Sequence, residues 1–264
     1  MWKELRRKKL RSAPFPREWR GIIESHCAFY HGLPGADRRE LEQDVQVFLS
    51  EKKFEGCGGL ELTDEIKVTI AAFACLLLLH RPTEGYPALR TVLVYPGIYQ
   101  VPTARQIGSG IIEESRQARA GESWGHGAVV LAWDAVREAI GHPEGGNVVL
   151  HEFAHQLDYE DGQADGIPLL GRREPLRLRR RRYADWLRVM RAEYERLRRG
   201  ESAVLSGYGA TNPAEFFAVA TESFFGRPQE LRRLHPELYG QMEWYYQQDP
   251  ANWAPPAPSA GTEF

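Results

Sequence analysis

Two histidines four residues apart, with a glutamate beside the first, form the segment His151-Glu152-Phe153-Ala154-His155. On a helix, positions four apart lie on one face, so both imidazoles can reach a single cation. Glu152 sits one step round, where it can hold an attacking water instead of binding the metal. Two histidine ligands, an open coordination position and a carboxylate base are the parts needed for hydrolysis at a zinc ion (Zn2+). The alternative is an amphipathic helix whose histidines merely pack or cap. Its flanks argue against that. Val148-Val149-Leu150 lead in, and Phe153, Ala154 and Leu157 intersperse the polar residues, so the helix is expected to be buried on more than one side. Polar groups on such a helix are costly unless something pairs with them, and a metal would do so.

A catalytic zinc takes three protein ligands, so one more must come from elsewhere. Asp161 lies six residues beyond His155, but using it requires a sharp turn at residue 158, where this chain has Asp rather than Gly. A better source is the run from Asn212 to Phe225. Thr211 or Asn212 before Pro213 marks a helix start, and Glu215 and Glu222, seven apart, fall on one face of that helix. Carboxylates in so apolar a segment need partners. Glu215, nearer the helix start, is read as the third ligand, with attraction to the helix N-terminus as its competing explanation. Glu222 is read as orienting a ligand histidine. Tyr208, between Gly207 and Gly209, could donate a hydrogen bond to an oxyanion, and spacing alone does not separate that from an ordinary loop tyrosine. Asp158 either accepts a proton from a ligand imidazole or is exposed near the helix end.

These residues need elements to hold them. Leu41, Val45, Phe48 and Leu49 recur at helical spacing between Asp37 and Lys53, and Thr63-Asp64-Glu65 can cap a buried helix over 64–80. Thr91 to Tyr95 and Gly127 to Trp133 read as strands, with Ile111 to Arg119 as a more polar one. The edge of such a sheet could align an extended peptide over the metal. A helix over Tyr183 to Arg199 is expected to present Trp186, Leu187, Met190, Tyr194 and Leu197 on its apolar side. The order of helices, small mixed sheet, then helices gives an α+β domain. Residues 1–18 read as a basic flexible arm, 19–249 as the folded domain and 250–264 as a disordered Pro/Ala-rich tail.

At 264 residues, 42% hydrophobic and 27% charged, the chain has the composition of an ordinary globular protein. A net charge of −2 supplies no general attraction to nucleic acid or anionic membrane. Residues 171–182 hold seven arginines, read as a solvated loop or helix start, with docking to an acidic partner as the alternative. Cys27, Cys57 and Cys75 are odd in number and lack CxxC spacing, which favours a reducing compartment over a disulfide framework. No signal peptide or bilayer-length apolar run is visible, so a cytoplasmic location is expected, with no membrane and no direct nucleic-acid partner.

Several segments together resemble the Mlc titration factor A family of zinc peptidases: NVVLHEFAHQLD, ADGIP within 161–168, YGATNPAEFFAVATESFF over 208–225, and YQQDP over 246–250. The likeness covers residues 15–250 approximately. It implies a zincin-like metallopeptidase fold similar to the catalytic domain of anthrax lethal factor. It further implies His151, His155 and Glu215 as zinc ligands, Glu152 as base and Tyr208 as an active-site tyrosine. The activity implied is an aminopeptidase acting on small peptide substrates, and the partner implied is a transcriptional repressor. The arginine-rich stretch and the Pro/Ala tail are particular to this chain, and partner choice commonly resides in such parts.

Overall fold

The computed structural model describes residues 2–81, 85–97, 99–106, 112–119, 121–124, 127–142, 144–171 and 174–253. In chain order the elements are α1 (Trp2–Ser12), α2 (Arg17–His26), α3 (Phe29–Gly32), α4 (Gly35–Glu51), β1 (Lys53–Gly56), α5 (Asp64–Leu76), β2 (Thr91–Tyr95), β3 (Tyr99–Gln106), β4 (Ile112–Arg119), β5 (Gly121–Trp124), β6 (Ala128–Ala132), α6 (Trp133–Gly141), α7 (Val148–Asp158), α8 (Leu176–Arg198), α9 (Pro213–Gly226), α10 (Pro228–Leu234) and α11 (Pro236–Tyr246). The class is α+β, mostly helical around a small sheet.

That sheet runs β1-β2-β6-β5. The first three strands are parallel, with Val92 opposite Val129 and Val94 opposite Leu131. Parallel neighbours need a crossover, which α5 supplies between β1 and β2. β5 closes one edge antiparallel to β6, so the expected mixed sheet is present. β3 and β4 form a separate antiparallel pair.

Local signals set the helix boundaries. The Thr63 side chain accepts from the Ile66 N–H and starts α5, whose residues from Val68 to Cys75 are buried through every turn. Phe153 on α7 is fully enclosed by Tyr86, at a ring separation of 4.9 Å, and by Phe48, at 5.8 Å. Burying that ring and its α7 neighbours Val149 and Leu157 commits the opposite face of α7 to its polar residues.

Three expectations from sequence need adjustment. Trp2–Ser12, read as part of a flexible arm, is a helix laid on α4. Arg7 makes a bidentate pair with Glu51 at 2.6 and 2.7 Å, and Arg11 reaches Asp44 at 2.7 Å. The partners lie too far along the chain for local pattern to reveal them. Leu187 is 47% exposed, and the buried face of α8 is formed instead by Trp186, Val189, Met190, Glu193 and Leu197. At the other terminus, Ala251 is buried and its N–H donates to the Tyr239 hydroxyl, so the chain is held beyond residue 250. The rest of the expected tail, 254–264, lies outside the described residues. The arginine-rich stretch leads into α8 at Leu176.

Candidate metal centre

Two helices meet face to face to make the site. α7 begins where the Asn147 side chain accepts from the N–H groups of Val149 and Leu150, at 3.0 and 3.1 Å. His151 and His155 then fall on one face, their ring centroids 4.9 Å apart. α9 begins in the same way, with the Asn212 side chain accepting from the Glu215 N–H at 3.0 Å and Pro213 opening the first turn. This fixes the Glu215 backbone one turn into the helix with its carboxylate toward α7. One Glu215 oxygen lies 3.0 Å from His151 Nε2 and 3.4 Å from His155 Nε2. Among the described residues, His151, His155 and Glu215 form the group able to hold a metal, each offering one ligand atom within 4.8 Å of the others.

Glu222 stands behind this trio, one oxygen 2.6 Å from His151 Nδ1 and the other 2.6 Å from the Asn147 backbone nitrogen. A carboxylate accepts, so Nδ1 carries the proton and Nε2 is aimed at the centre. Burial disfavours a charged imidazole, yet the hydrogen bonds to Glu215 and Glu222 prevail and raise the His151 pKa to about 10. Burial likewise works against the Glu215 carboxylate, and the two histidines overcome it, lowering its pKa to about 2. This pairing of imidazolium with carboxylate is the charge pattern that a divalent cation would replace.

Glu152, 5% exposed, lies beside the trio against the β5 edge. A Cβ built on Gly121 would fall 2.6 Å from a Glu152 oxygen and 2.7 Å from its Cγ, so only glycine permits the strand to approach this closely. Tyr208 sits on the short turn Gly207–Ala210 ahead of α9, its ring 5.8 Å from that of His151. The residue is 58% exposed.

Asp158 is not exposed. It is fully buried, one oxygen accepting from the Gly166 N–H at 2.9 Å while the other has no hydrogen-bond partner among the described residues, and burial raises its pKa to about 6. Gly166, with φ of +77°, is clasped further by the Trp186 indole, which donates to its carbonyl at 3.1 Å. A Cβ there would strike the Pro213 carbonyl at 2.4 Å. Asp158 therefore pins the loop that crosses the start of α9. Asp161 accepts from the Gln163 N–H in its own turn and is not among the converging ligand atoms.

Of these participants, Asn147 and Asn212 carry a signal legible in sequence, an Asn directly before a helix. Gly121 and Gly166 carry none, because their importance depends on which backbone lies opposite.

A partly buried two-helix cluster of two imidazoles and a carboxylate, with the buried Glu152 at its side, is the kind of group that can hold a metal ion. Comparison with known proteins specifies the family. Residues 2–247 match the glucose-regulated metallo-peptidase M90 family. An uncharacterized protein of Synechocystis sp. is 40% identical over 255 residues, covering 94% of this chain and 90% of that protein. Mlc titration factor A of Klebsiella pneumoniae is 34% identical over 225 residues, covering 83% of this chain and 82% of the relative. The factor of the same name from Escherichia coli is 30% identical over 226 residues, with the same coverage of 83% and 82%. The chain belongs to the M90 metallopeptidase family.

Proposed function

We propose that this protein is a zinc-dependent metallopeptidase of zincin-like fold, acting as an aminopeptidase on small peptides. The observation that carries the reading is the convergence of His151, His155 and Glu215 beside the buried Glu152. Two imidazole nitrogens and one carboxylate oxygen suit Zn2+ and leave a coordination position open. A zinc ion held there supplies Lewis acidity, polarising a carbonyl and lowering the pKa of water. Glu152 takes the proton from the attacking water and returns it to the departing amine. The Tyr208 phenol donates a hydrogen bond to the oxyanion that develops on the scissile carbonyl. Glu222 holds His151 in the tautomer that presents Nε2. β5, at the sheet edge and in contact with Glu152 through Gly121, offers backbone groups to an extended peptide.

Glu152→Ala is expected to bind one zinc per chain and to lose turnover of a peptide library by about a hundredfold or more. Parent-like turnover in the metal-loaded variant would remove Glu152 from the mechanism.

A second reading is favoured by relatives that carry the name Mlc titration factor A. In it, this chain binds a transcriptional repressor, with the metal centre secondary to that role. The same Glu152→Ala protein should then retain the repressor at full strength in a pull-down, and loss of binding together with turnover would count against an independent surface. A cytoplasmic location belongs to the proposal. Cys27 and Cys75 are buried free thiols, suited to a reducing compartment, and no helix among the described residues is long and apolar enough to cross a membrane. Neither reading calls for direct contact with nucleic acid.

A further inference from the structure

A cavity of about 260 Å3 that has Glu222 among its lining residues is bounded by α3, α5, α6, α9 and the segment after α11. Two pairs of aromatic rings line it. Phe29 and Phe73 stand 5.5 Å apart at 60°, and Phe225 and Trp253 stand 6.1 Å apart at 33°. The polar lining residues are His26, Asn147, Gln229 and two acidic groups, Glu222 and the exposed Glu144. No lysine or arginine is among the described residues that line it.

Size, shape and charge each restrict what can enter. A dry apolar cavity of roughly 150 Å3 accommodates benzene, so this one has room for an aryl group with a short chain. Aromatic faces carry negative charge and attract a cation held over them, the more so when it is desolvated. The described lining residues include two carboxylates and no guanidinium or lysine ammonium, which favours the same sign, the larger part falling to Glu144 because Glu222 already accepts from His151 and Asn147. His26, also in the lining, is engaged through Nδ1 with the Thr69 hydroxyl at 2.8 Å, and its Nε2 lies 3.6 Å from Glu65.

We infer that this cavity is a binding site for a small organic ammonium ion with an aromatic or branched apolar body, separate from the position of the scissile bond. The apolar body lies between the two ring pairs, and the ammonium group faces Glu222 and Glu144. Glu222 is then shared. Its oxygens hold His151 and the start of α7, and its outer surface forms the wall of the cavity. The inference stands on the cavity itself and does not depend on the peptidase reading.

The test is titration of the full-length, zinc-loaded protein with 2-phenylethylammonium and with 2-phenylethanol, a neutral molecule of nearly the same size. Binding is followed by tryptophan fluorescence and calorimetry. The ammonium is expected to bind saturably and about tenfold or more tighter than the alcohol. Ala139→Phe fills the cavity from α6 and should weaken the ammonium by about tenfold or more; Ala139 lines the cavity and is 4% exposed. Should that variant fail to fold, Ala28→Trp at the exposed end of the lining is expected to produce the same loss. Equal affinity for alcohol and ammonium, no saturable ammonium binding, or parent-like affinity in a folded cavity variant would each overturn the assignment.

Discussion

Glu222 accepts from two donors at once, the His151 imidazole and the Asn147 backbone N–H, each at 2.6 Å. A carboxylate placed behind a ligand imidazole fixes its tautomer and makes the other nitrogen a better donor, and losing such a group typically costs about 10–100-fold in metal affinity. Glu222→Gln is expected to fall in that range in a chelator competition while its circular dichroism stays as in the parent. Unchanged zinc affinity would mean that His151 is oriented by something else. Gly121 is the other residue whose replacement should report on the site. Any side chain there meets Glu152 and Val148 within 2.7 Å, and overpacking of this kind costs about 1–3 kcal/mol. Gly121→Val should therefore lose both stability in urea and peptide turnover, whereas a variant with parent-like values in both would show that β5 can withdraw freely.

At the scale of elements, helices are joined by charged side chains that local pattern does not pair. The Glu42 carboxylate on α4 accepts from Arg20 on α2 at 2.7 and 2.9 Å and from the Tyr30 hydroxyl at 2.7 Å. Burial would raise its pKa, but these bonds prevail and lower it. A carboxyl group lowered on folding contributes stability above its unfolded pKa of about 4.3, and loses that contribution as pH falls through the folded value. Glu42→Gln should thus unfold at lower urea at pH 7, by about 1–3 kcal/mol less the screening due to the half-exposed Arg20. The gap to the parent should close as pH drops below about 4. A gap that stays constant between pH 7 and pH 3 would contradict the pairing. A similar junction ties α8 to the α10–α11 corner. His235 Nδ1 lies 2.6 Å from Glu193 and its Nε2 3.0 Å from the Ser202 hydroxyl. This line of Ser, His and Glu looks like a nucleophile relay, yet the serine oxygen already accepts from the N–H groups of Val204 and Leu205, so it serves as a clamp.

For the whole molecule, the chief consequence of the site is that a metal would fasten α7 to α9. Anything that binds only the folded state adds RT ln(1 + [L]/Kd), about 2.7 kcal/mol at a hundredfold excess over Kd. In a chain of this size that amounts to an increase in melting temperature of about 5–10 °C. Removing zinc with a chelator should lower the melting temperature by that much, and equal melting temperatures with and without zinc would argue against a metal bridging these helices. How much of this was legible in the sequence follows from distance along the chain. His151, Glu152 and His155 lie within one turn and a half of helix, so a fixed 3.6-residue period brings them together on paper. Asn212-Pro213 announces the start of α9, and Glu215 and Glu222 share its face for the same reason. That α7 faces α9 was supplied by the family resemblance, since no local pattern pairs two helices. Gly121 beside Glu152, Arg7 on Glu51 and His235 on Glu193 were beyond reach, because each requires knowing which distant backbone lies opposite. The burial of Asp158 was missed in the same way, for it depends on a loop folding back to Gly166.

The clasp at Gly166 divides the chain between α7 and α9 into two kinds of territory. At the clasp, backbone touches backbone and the Trp186 indole closes over it, so that point admits little change. Beyond it, residues 175–178 at the start of α8 and 198–201 at its end are exposed, and extending such a surface segment costs only a logarithmic increment of entropy. Inheritance can therefore rewrite the surface of this excursion, its length and its charge, while the two helices that carry the donors keep their spacing. What the molecule meets and what it does chemically can evolve at different rates within one continuous stretch of chain.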